Sequence, residues 1–419
     1  AIEVAGQAHR RVLRAAQTYT TLAGEVVVER WLYRDRDDDT VECISPLEQR
    51  LGIVGGFWTP NAAKTAFWVV SQMVPQKAEE LFKRVGGMGP SKSSLDRLPK
   101  MLSERWEASR EAYETVLRDA IVIPEGTASV AVSLDGVMAP IDGGTPTSAL
   151  RNKAAKAGLI SKGPAGYREV GCATISFCDA EGDMIGAIRL ARAPESKKVT
   201  LKASLAAELM AVLRVRPDLP IVKVADGIDD NWKYLSAELP EGEEALDFYH
   251  ATEHLNLAMA AAYGPSTRKA RHRFEELRDC LRDEEGGVER VIRALDYLRK
   301  QSPQRADIRL CAAYFRKHRH RMKYADLKAR GLPIGSGVVE AACKTLVAQR
   351  LKLSGMRWGR GAQAILTARG WDQSERFDAA WALLAAEHQV EVHVLARVIP
   401  FEPPKSPRAK RAPRDRSAG

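Results

Sequence analysis

Cysteine is scarce in this chain: 419 residues hold six, Cys43, Cys172, Cys178, Cys280, Cys311 and Cys343. No CxxC pair and no chelating spacing occurs among them, which argues against a disulfide framework or a zinc finger and fits a reducing cytosol. Long apolar runs are missing too. None approaches the ~18–20 residues that span a bilayer, and Ala1 to Gly6 do not open a signal peptide. The expectation is a soluble, cytoplasmic protein with no membrane partner. Acidic residues are in deficit, 54 Asp+Glu against 64 Lys+Arg, for a net charge of +10. Such a surplus suits a polyanionic partner, because clustered Lys and Arg displace counterions from phosphates, although ordinary solubility gives the same total.

What is present is a globular composition. Hydrophobic residues make up 45%, and the length admits two or three domains of ~100–200 residues. The pattern predicts a helix over Ala8 to Thr18, a strand over Glu25 to Tyr33, an acidic turn at 35–39, and helices from Pro60 to about Leu117. Within these, Pro75–Arg84 and Ser91–Leu98 flank Gly86-Gly-Met-Gly-Pro90 in the outline of a helix-turn-helix. Its second helix would offer Lys92 and Arg97 to DNA phosphates. Pro99 is expected to cut that helix short, and a plain helical hairpin reads equally from the same residues.

From Thr127 the signal turns to strands. Ser129–Leu134 is apolar and β-branched and ends at Asp135-Gly136. Glu169–Phe177 and Met184–Ala191 form a hairpin about a glycine turn. An amphipathic helix (Leu201–Leu213), a strand (Ile221–Ala225) ending at Asp226-Gly227, a helix to Glu238 and a strand (Ala245–Tyr249) follow. Three strands, helix, strand, helix, strand is the element order of a ribonuclease H-like mixed α/β sheet with flanking helices. Residues 264–330 read as an all-helical insertion, 331–400 as the last helices of the core, and 401–419 as a disordered basic tail. The resulting division is 1–120, a mainly helical DNA-binding region; 121–263, the first part of the catalytic core; then the insertion, the last helices and the tail.

Asp135 and Asp226 both stand where a buried strand meets an Asp-Gly step, and ligands gather at strand ends in open α/β sheets. Two adjacent carboxylates tolerate one another when hard cations bridge them. That is the requirement of two-metal phosphoryl chemistry, with ions ~3.5–4 Å apart, usually completed by a third carboxylate. Glu340 is the best third candidate, on the first turns of a helix that Ser336 would cap. An Asp-Gly step can also be only a turn, and Glu340 could simply pair with Lys344 one helical turn on.

A second motif competes. His250-Ala-Thr-Glu-His254 matches HxxEH, in which two histidines one turn apart bind zinc and the glutamate is the base of a peptidase. Its third ligand would be Glu340, Glu284, Glu285 or Glu289, none clearly placed. The same segment also reads as Asp247-x-x-His250 leaving a strand beside the carboxylates, and His250 and His254 could equally be histidines at the core edge.

Tyr167-Arg-Glu-Val170 with Gly171–Phe177, Val224-Ala-Asp-Gly227, Leu246–His254, Ile334–Glu340 and Ser354-Gly-Met-Arg-Trp358 together resemble the ISKra family of insertion-sequence transposases, which are DDE enzymes. The resemblance runs from about Val132 to Trp371, with five motifs in order. It implies that Asp135, Asp226 and Glu340 hold two Mg²⁺ or Mn²⁺ ions. It also implies that Asp247, His250 and His254 lie near the active centre, and that residues 264–330 interrupt the fold between the second and third carboxylates. The implied partners are double-stranded DNA, as terminal inverted repeats and target, and further copies of the chain in a homodimer or higher oligomer on nucleoid DNA. Such families often carry a cysteine-rich DNA-binding segment near the N-terminus, where this chain has only Cys43.

Arg357 and Trp358 are candidates for phosphate contact and base stacking, Lys344 for a further DNA contact, and Lys153, Lys156 and Lys162 for phosphates in the loop after the first strand. Two rival functions remain: a transposase-derived DNA-binding protein without activity, and the zinc peptidase. The charge is unevenly spread. Residues 264–330 hold 19 basic and 10 acidic side chains and 402–419 hold six and two, which leaves the remainder slightly acidic. The insertion is therefore the expected DNA-gripping surface.

Overall fold

Strand β4 (Ser129–Pro140) is the keystone of the fold. The computed structural model describes residues 1–38, 40–141, 166–359 and 361–395. In it β4 pairs antiparallel with β5 (Tyr167–Cys178), and β5 pairs antiparallel with β6 (Met184–Arg192). On its other edge β4 runs parallel to β7 (Ile221–Ala225), which is parallel to β8 (Glu243–Leu246). The resulting order, β6-β5-β4-β7-β8, is the ribonuclease H-like mixed sheet expected from the element order. All five residues of β7 are buried, as suits an inner parallel strand covered on both faces.

Alternation along β4 sends Val130, Val132 and Leu134 into one core, with Leu201, Leu205 and Leu209 of helix α6 (Val199–Val215). Ala131 faces the other way, with Val222 and Val224 turned to Leu327 and Leu332. The insertion is helical as expected: α9 (Arg268–Asp283), α10 (Gly287–Gln301), α11 (Ala306–His318) and α12 (Tyr324–Ala329). It packs on α8 (Phe248–Tyr263), with Leu277, Leu295, Ile308 and Phe315 joining the core of the sheet. Arg321–Glu244 and Arg330–Glu243 tie it to β8.

The N-terminal region departs from expectation. Ala8 to Thr18 is not a helix but part of β2 (Gln7–Thr21), a long strand hairpinned with β3 (Gly24–Asp35). A mainly helical N-terminal region is thus correct only from α1 (Pro46–Leu51) onward. The short strands β1 (Ile2–Val4) and β9 (Val392–Val394) complete a sheet of order β3-β2-β1-β9, so the two ends of the described chain pair with each other. The ribbon stands clear of any core, with Arg11 stacked on Trp31, and this explains the missed period. With both faces in water, no alternation was needed to mark it as a strand.

Helices α2 (Pro60–Gln72), α3 (Pro75–Val85), α4 (Lys92–Ala108) and α5 (Arg110–Asp119) follow. Pro99 does not end α4. It lies inside that helix and is buried, the apolar face outweighing one lost backbone bond. Ser91 caps α4 through Ser94 N–H, and Lys92 and Arg97 are exposed on it. These helices share one core with the last three, α13 (from Gly337 to Leu351), α14 (Gly361–Gln373) and α15 (Phe377–Ala386), through Phe67, Trp106, Leu346 and Trp371. The expected tail at 401–419 and Lys153, Lys156 and Lys162 lie outside the described residues. Among the described residues no helix is long and apolar enough to cross a membrane.

Candidate active site

β4 is the point at which the sheet order reverses, with β5 on one side and β7 on the other, so a crevice opens at the carboxyl ends of β4 and β7. Ser133 is level with Val224 in the parallel register. Asp135 and Asp226 each stand two residues further on, which brings them to the same level. Contrary to the sequence reading, Asp135 is not at a strand end. β4 continues to Pro140, with Asp135 opposite Cys172. At Gly136 the missing side chain leaves room for Glu169 on the neighbouring strand.

Each carboxylate has been given local partners. Asp135 Oδ1 accepts from its neighbour Gly136 N–H at 2.7 Å, and Oδ2 from the Cys343 thiol at 3.6 Å. Asp226 Oδ1 accepts from Ile228 N–H at 3.1 Å and from Asn231 Nδ2 at 3.4 Å. Asn231 is buried and also donates to Leu134 O at 3.2 Å, so one side chain links the end of β7 to β4. Burial holds the Asp226 carboxyl above the ordinary carboxylate range. The charge of Asp135 adds to this, against the Ile228 and Asn231 hydrogen bonds and His250.

Glu340 reaches the same place from a helix. α13 begins at Gly337–Ala342 and continues through a π turn, Cys343–Ala348, to Gln349–Leu351. Ser336 precedes it but gives no side-chain cap. The Glu340 carboxyl is also raised. Desolvation is the largest cause, and the neighbouring charges that weigh on it, those of Asp247, Glu253 and Asp135, are all negative. Glu340 lies beside Asp247 rather than pairing with Lys344, which is exposed.

Asp247 is buried and already engaged. It caps α8 by accepting from Tyr249 N–H at 3.3 Å and His250 N–H at 3.2 Å, and it accepts from Ser336 N–H at 3.0 Å. One carboxylate therefore anchors the start of α8 and the turn that leads to Glu340. Gly335 permits this approach, since a Cβ there would lie 3.0 Å from the Tyr249 ring.

As the side chains lie, His250 and His254 are not grouped with a third ligand for zinc among the described residues. Their rings meet edge to face at 5.1 Å; His250 Nδ1 lies 3.6 Å from Glu253, and His254 stacks on Tyr314 at 4.1 Å. Burial and then His250 hold His254 below its ordinary pKa, so it is neutral at pH 7. Tyr314 has no counterpart in the sequence reading. It comes from α11 in the insertion and lies against the Asp226-Gly227 turn, a Cβ on Gly227 falling 2.5 Å from its ring. No local pattern around residue 314 announces it, because the contact exists only once the insertion folds back.

The remaining candidates lie farther out. Trp358 is partly buried, donates from Nε1 to Leu351 O at 3.1 Å, and has the Arg350 guanidinium 4.7 Å from its ring centroid. It lines a cleft of about 580 Å³ with Arg357, Lys100 and Pro75. A second cleft, about 660 Å³, runs beside the carboxylates between Ser133 and Ser176 on the sheet and Tyr249, Arg278 and Arg282 on the helices.

No protein-family model matches the sequence, and no curated protein matches it. Among solved structures, a Drosophila P element transposase strand transfer complex is similar over 78% of this chain and 80% of that one, at 11% identity and a TM-score of 0.28. Likeness of that strength says nothing about activity.

The donor set of the crevice is chemically apt for a hard divalent cation. It consists of carboxylate oxygens, two of them on groups whose charge is disfavoured where they stand. As the side chains lie, however, no three His, Cys, Asp or Glu among the described residues are grouped to hold an ion. The crowding has a measurable cost. A carboxyl whose folded pKa is raised binds its proton more tightly in the folded state. Stability therefore falls as pH rises from the unfolded value through the folded one, and the loss is complete above it. Asp226→Asn keeps an oxygen for Ile228 and Asn231 and removes the charge. It should raise the melting temperature at pH 7 by a few degrees, with the gain fading as pH drops into the carboxylate range. Thermal unfolding of the metal-free protein across pH 3.5 to 7 measures this, and an unchanged or lower melting temperature at pH 7 would contradict it.

Proposed function

We propose that this protein is a DDE-type DNA transposase of the ISKra kind, which cuts DNA at the ends of an insertion sequence and joins the freed 3′-hydroxyl to target DNA. The observation that supports the reading is the parallel register of β4 and β7, which sets Asp135 and Asp226 at the same level of a ribonuclease H-like sheet, with the charge of Asp135 felt by both Asp226 and Glu340.

Asp135, Asp226 and Glu340 would hold two Mg²⁺ or Mn²⁺ ions, whose chemistry is to activate the attacking oxygen and stabilise the leaving one. The chain's own part is positional. Asn231 ties Asp226 to β4, and Asp247 anchors the turn before Glu340, so the backbone at two of the three carboxylates is fixed by hydrogen bonds. The cleft lined by Ser133, Ser176, Arg278 and Arg282 gives a strand a polar, partly basic path to the carboxylates. Displacement by water and then by the 3′-hydroxyl needs no covalent protein intermediate. Lys92, Arg97, Lys344, Arg357 and Trp358 are proposed DNA contacts beyond the crevice, with the protein acting on nucleoid DNA as a homodimer or higher oligomer.

Purified protein incubated with Mg²⁺ and duplexes taken from the DNA flanking its gene should release 3′-hydroxyl ends at inverted repeats and join them to a second duplex. Tight binding of the same duplexes without cutting would instead identify a DNA-binding derivative that has lost catalysis. One zinc per chain on metal analysis would favour the peptidase reading of His250, Glu253 and His254.

A further inference from the structure

The hydroxyl of Tyr314 is buried beside the carboxylate crevice and has no hydrogen-bond partner. An orphaned polar atom of this kind usually costs ~1–3 kcal/mol, so its position calls for an explanation. The ring is held from several sides. It stacks on His254 at 4.1 Å with 25° between the planes, and His318 lies 4.9 Å away. At Gly227 the missing side chain leaves room for it, since a Cβ there would fall 3.0 Å from Oη. The effect is to set one phenol O–H next to Asp226 without bonding it to Asp226. A phenol ordinarily keeps its proton to about pH 10, so the group is a donor at physiological pH.

A fixed, uncharged donor among carboxylates suits an acceptor that arrives with the substrate. Carboxylates repel a phosphodiester and cannot donate to it, so a donor within the same crevice supplies what they lack. We propose that Tyr314 is a substrate-binding catalytic residue, its hydroxyl donating a hydrogen bond to a non-bridging oxygen of the DNA phosphate that is cut. This rests on the transposase reading and extends it. The helical insertion then does more than hold DNA at a distance, because α11 completes the active site from above the Asp226 turn.

Tyr314→Phe keeps the ring, its stacking on His254 and its packing on Gly227, and removes only the hydroxyl. Single-turnover cleavage at saturating duplex and Mg²⁺ should fall about 10- to 100-fold, the usual span for a hydrogen bond to a charged group, with DNA affinity unchanged and a melting temperature no lower than that of the wild type. Stereospecific phosphorothioates at the cut phosphate give a second readout. Sulfur in place of the accepting oxygen should slow the wild type and add nothing further in the Phe variant. Equal rates for the two proteins would overturn the inference, as would a defect confined to affinity or a sulfur effect of the same size in both. If the wild type itself cuts none of the flanking duplexes, it is the transposase reading that fails, whatever Tyr314 does.

Discussion

On the transposase reading, Asp135→Asn and Glu340→Gln proteins should bind DNA as the wild type does and cut it on the order of 10³-fold more slowly. A bound cation stabilises several kcal/mol of developing charge at phosphorus, each 1.36 kcal/mol being a factor of ten in rate. Neither substitution should harm the fold. Asp135 accepts from Gly136 N–H through an oxygen that Asn retains, and Glu340 is exposed and crowded by negative neighbours. Losing a charge there relieves repulsion. The pair of outcomes is diagnostic, since a structural carboxylate would lose stability along with activity. Cleavage with Mg²⁺ at wild-type rates by either variant removes that residue from the triad.

The second large effect concerns salt. About half of the basic side chains in residues 264–330 are spent on neighbouring acids, among them Arg273 on Glu276, Arg282 on Asp283, Lys317 on Asp229 and Arg330 on Glu243. Arg268, Arg271, Arg293 and Lys300 are exposed on α9 and α10 and enter none of these pairs. On the transposase reading, replacing the four with alanine should cut affinity for duplex DNA by on the order of 10² at low salt. It should also flatten the log–log salt dependence by up to ~0.9 for each phosphate that is no longer neutralised. Arg321→Ala and Arg330→Ala, which break ties to β8, serve as the contrast, with lower stability and an unchanged slope. Equilibrium binding between 50 and 200 mM salt separates the two sets, and a slope untouched by the fourfold variant would place the DNA on another surface.

Burial decided what could be read ahead of the structure. β5, β6, α6 and β7 are each packed on the sheet core, and their periods announced both their type and the sheet's element order. Asp226 was legible because β7 is fully buried and stops. Asp135 was legible as a residue but not in its position, since Asp-Gly resembles a turn wherever it occurs and here lies within a strand that continues to Pro140. β3 reads as a strand in the sequence, but β2 was misread as a helix because it buries too little to impose a pattern, and Pro99 because its neighbours on α4 are buried well enough to retain it. Tyr314 and the double capping by Asp247 join positions roughly 90 residues apart, and no local pattern encodes a contact of that range.

The Asp247–Ser336 bond also bears on synthesis. Domains form as the chain emerges, and Asp135, Asp226 and Asp247 all leave the ribosome before the insertion does. Glu340 follows only after the insertion is complete, and its turn docks by the last of the three hydrogen bonds to Asp247. On the transposase reading, a nascent or truncated chain that stops short of residue 337 carries two of its three carboxylates and lacks the third, so a nuclease translated beside its own gene is harmless until it is whole.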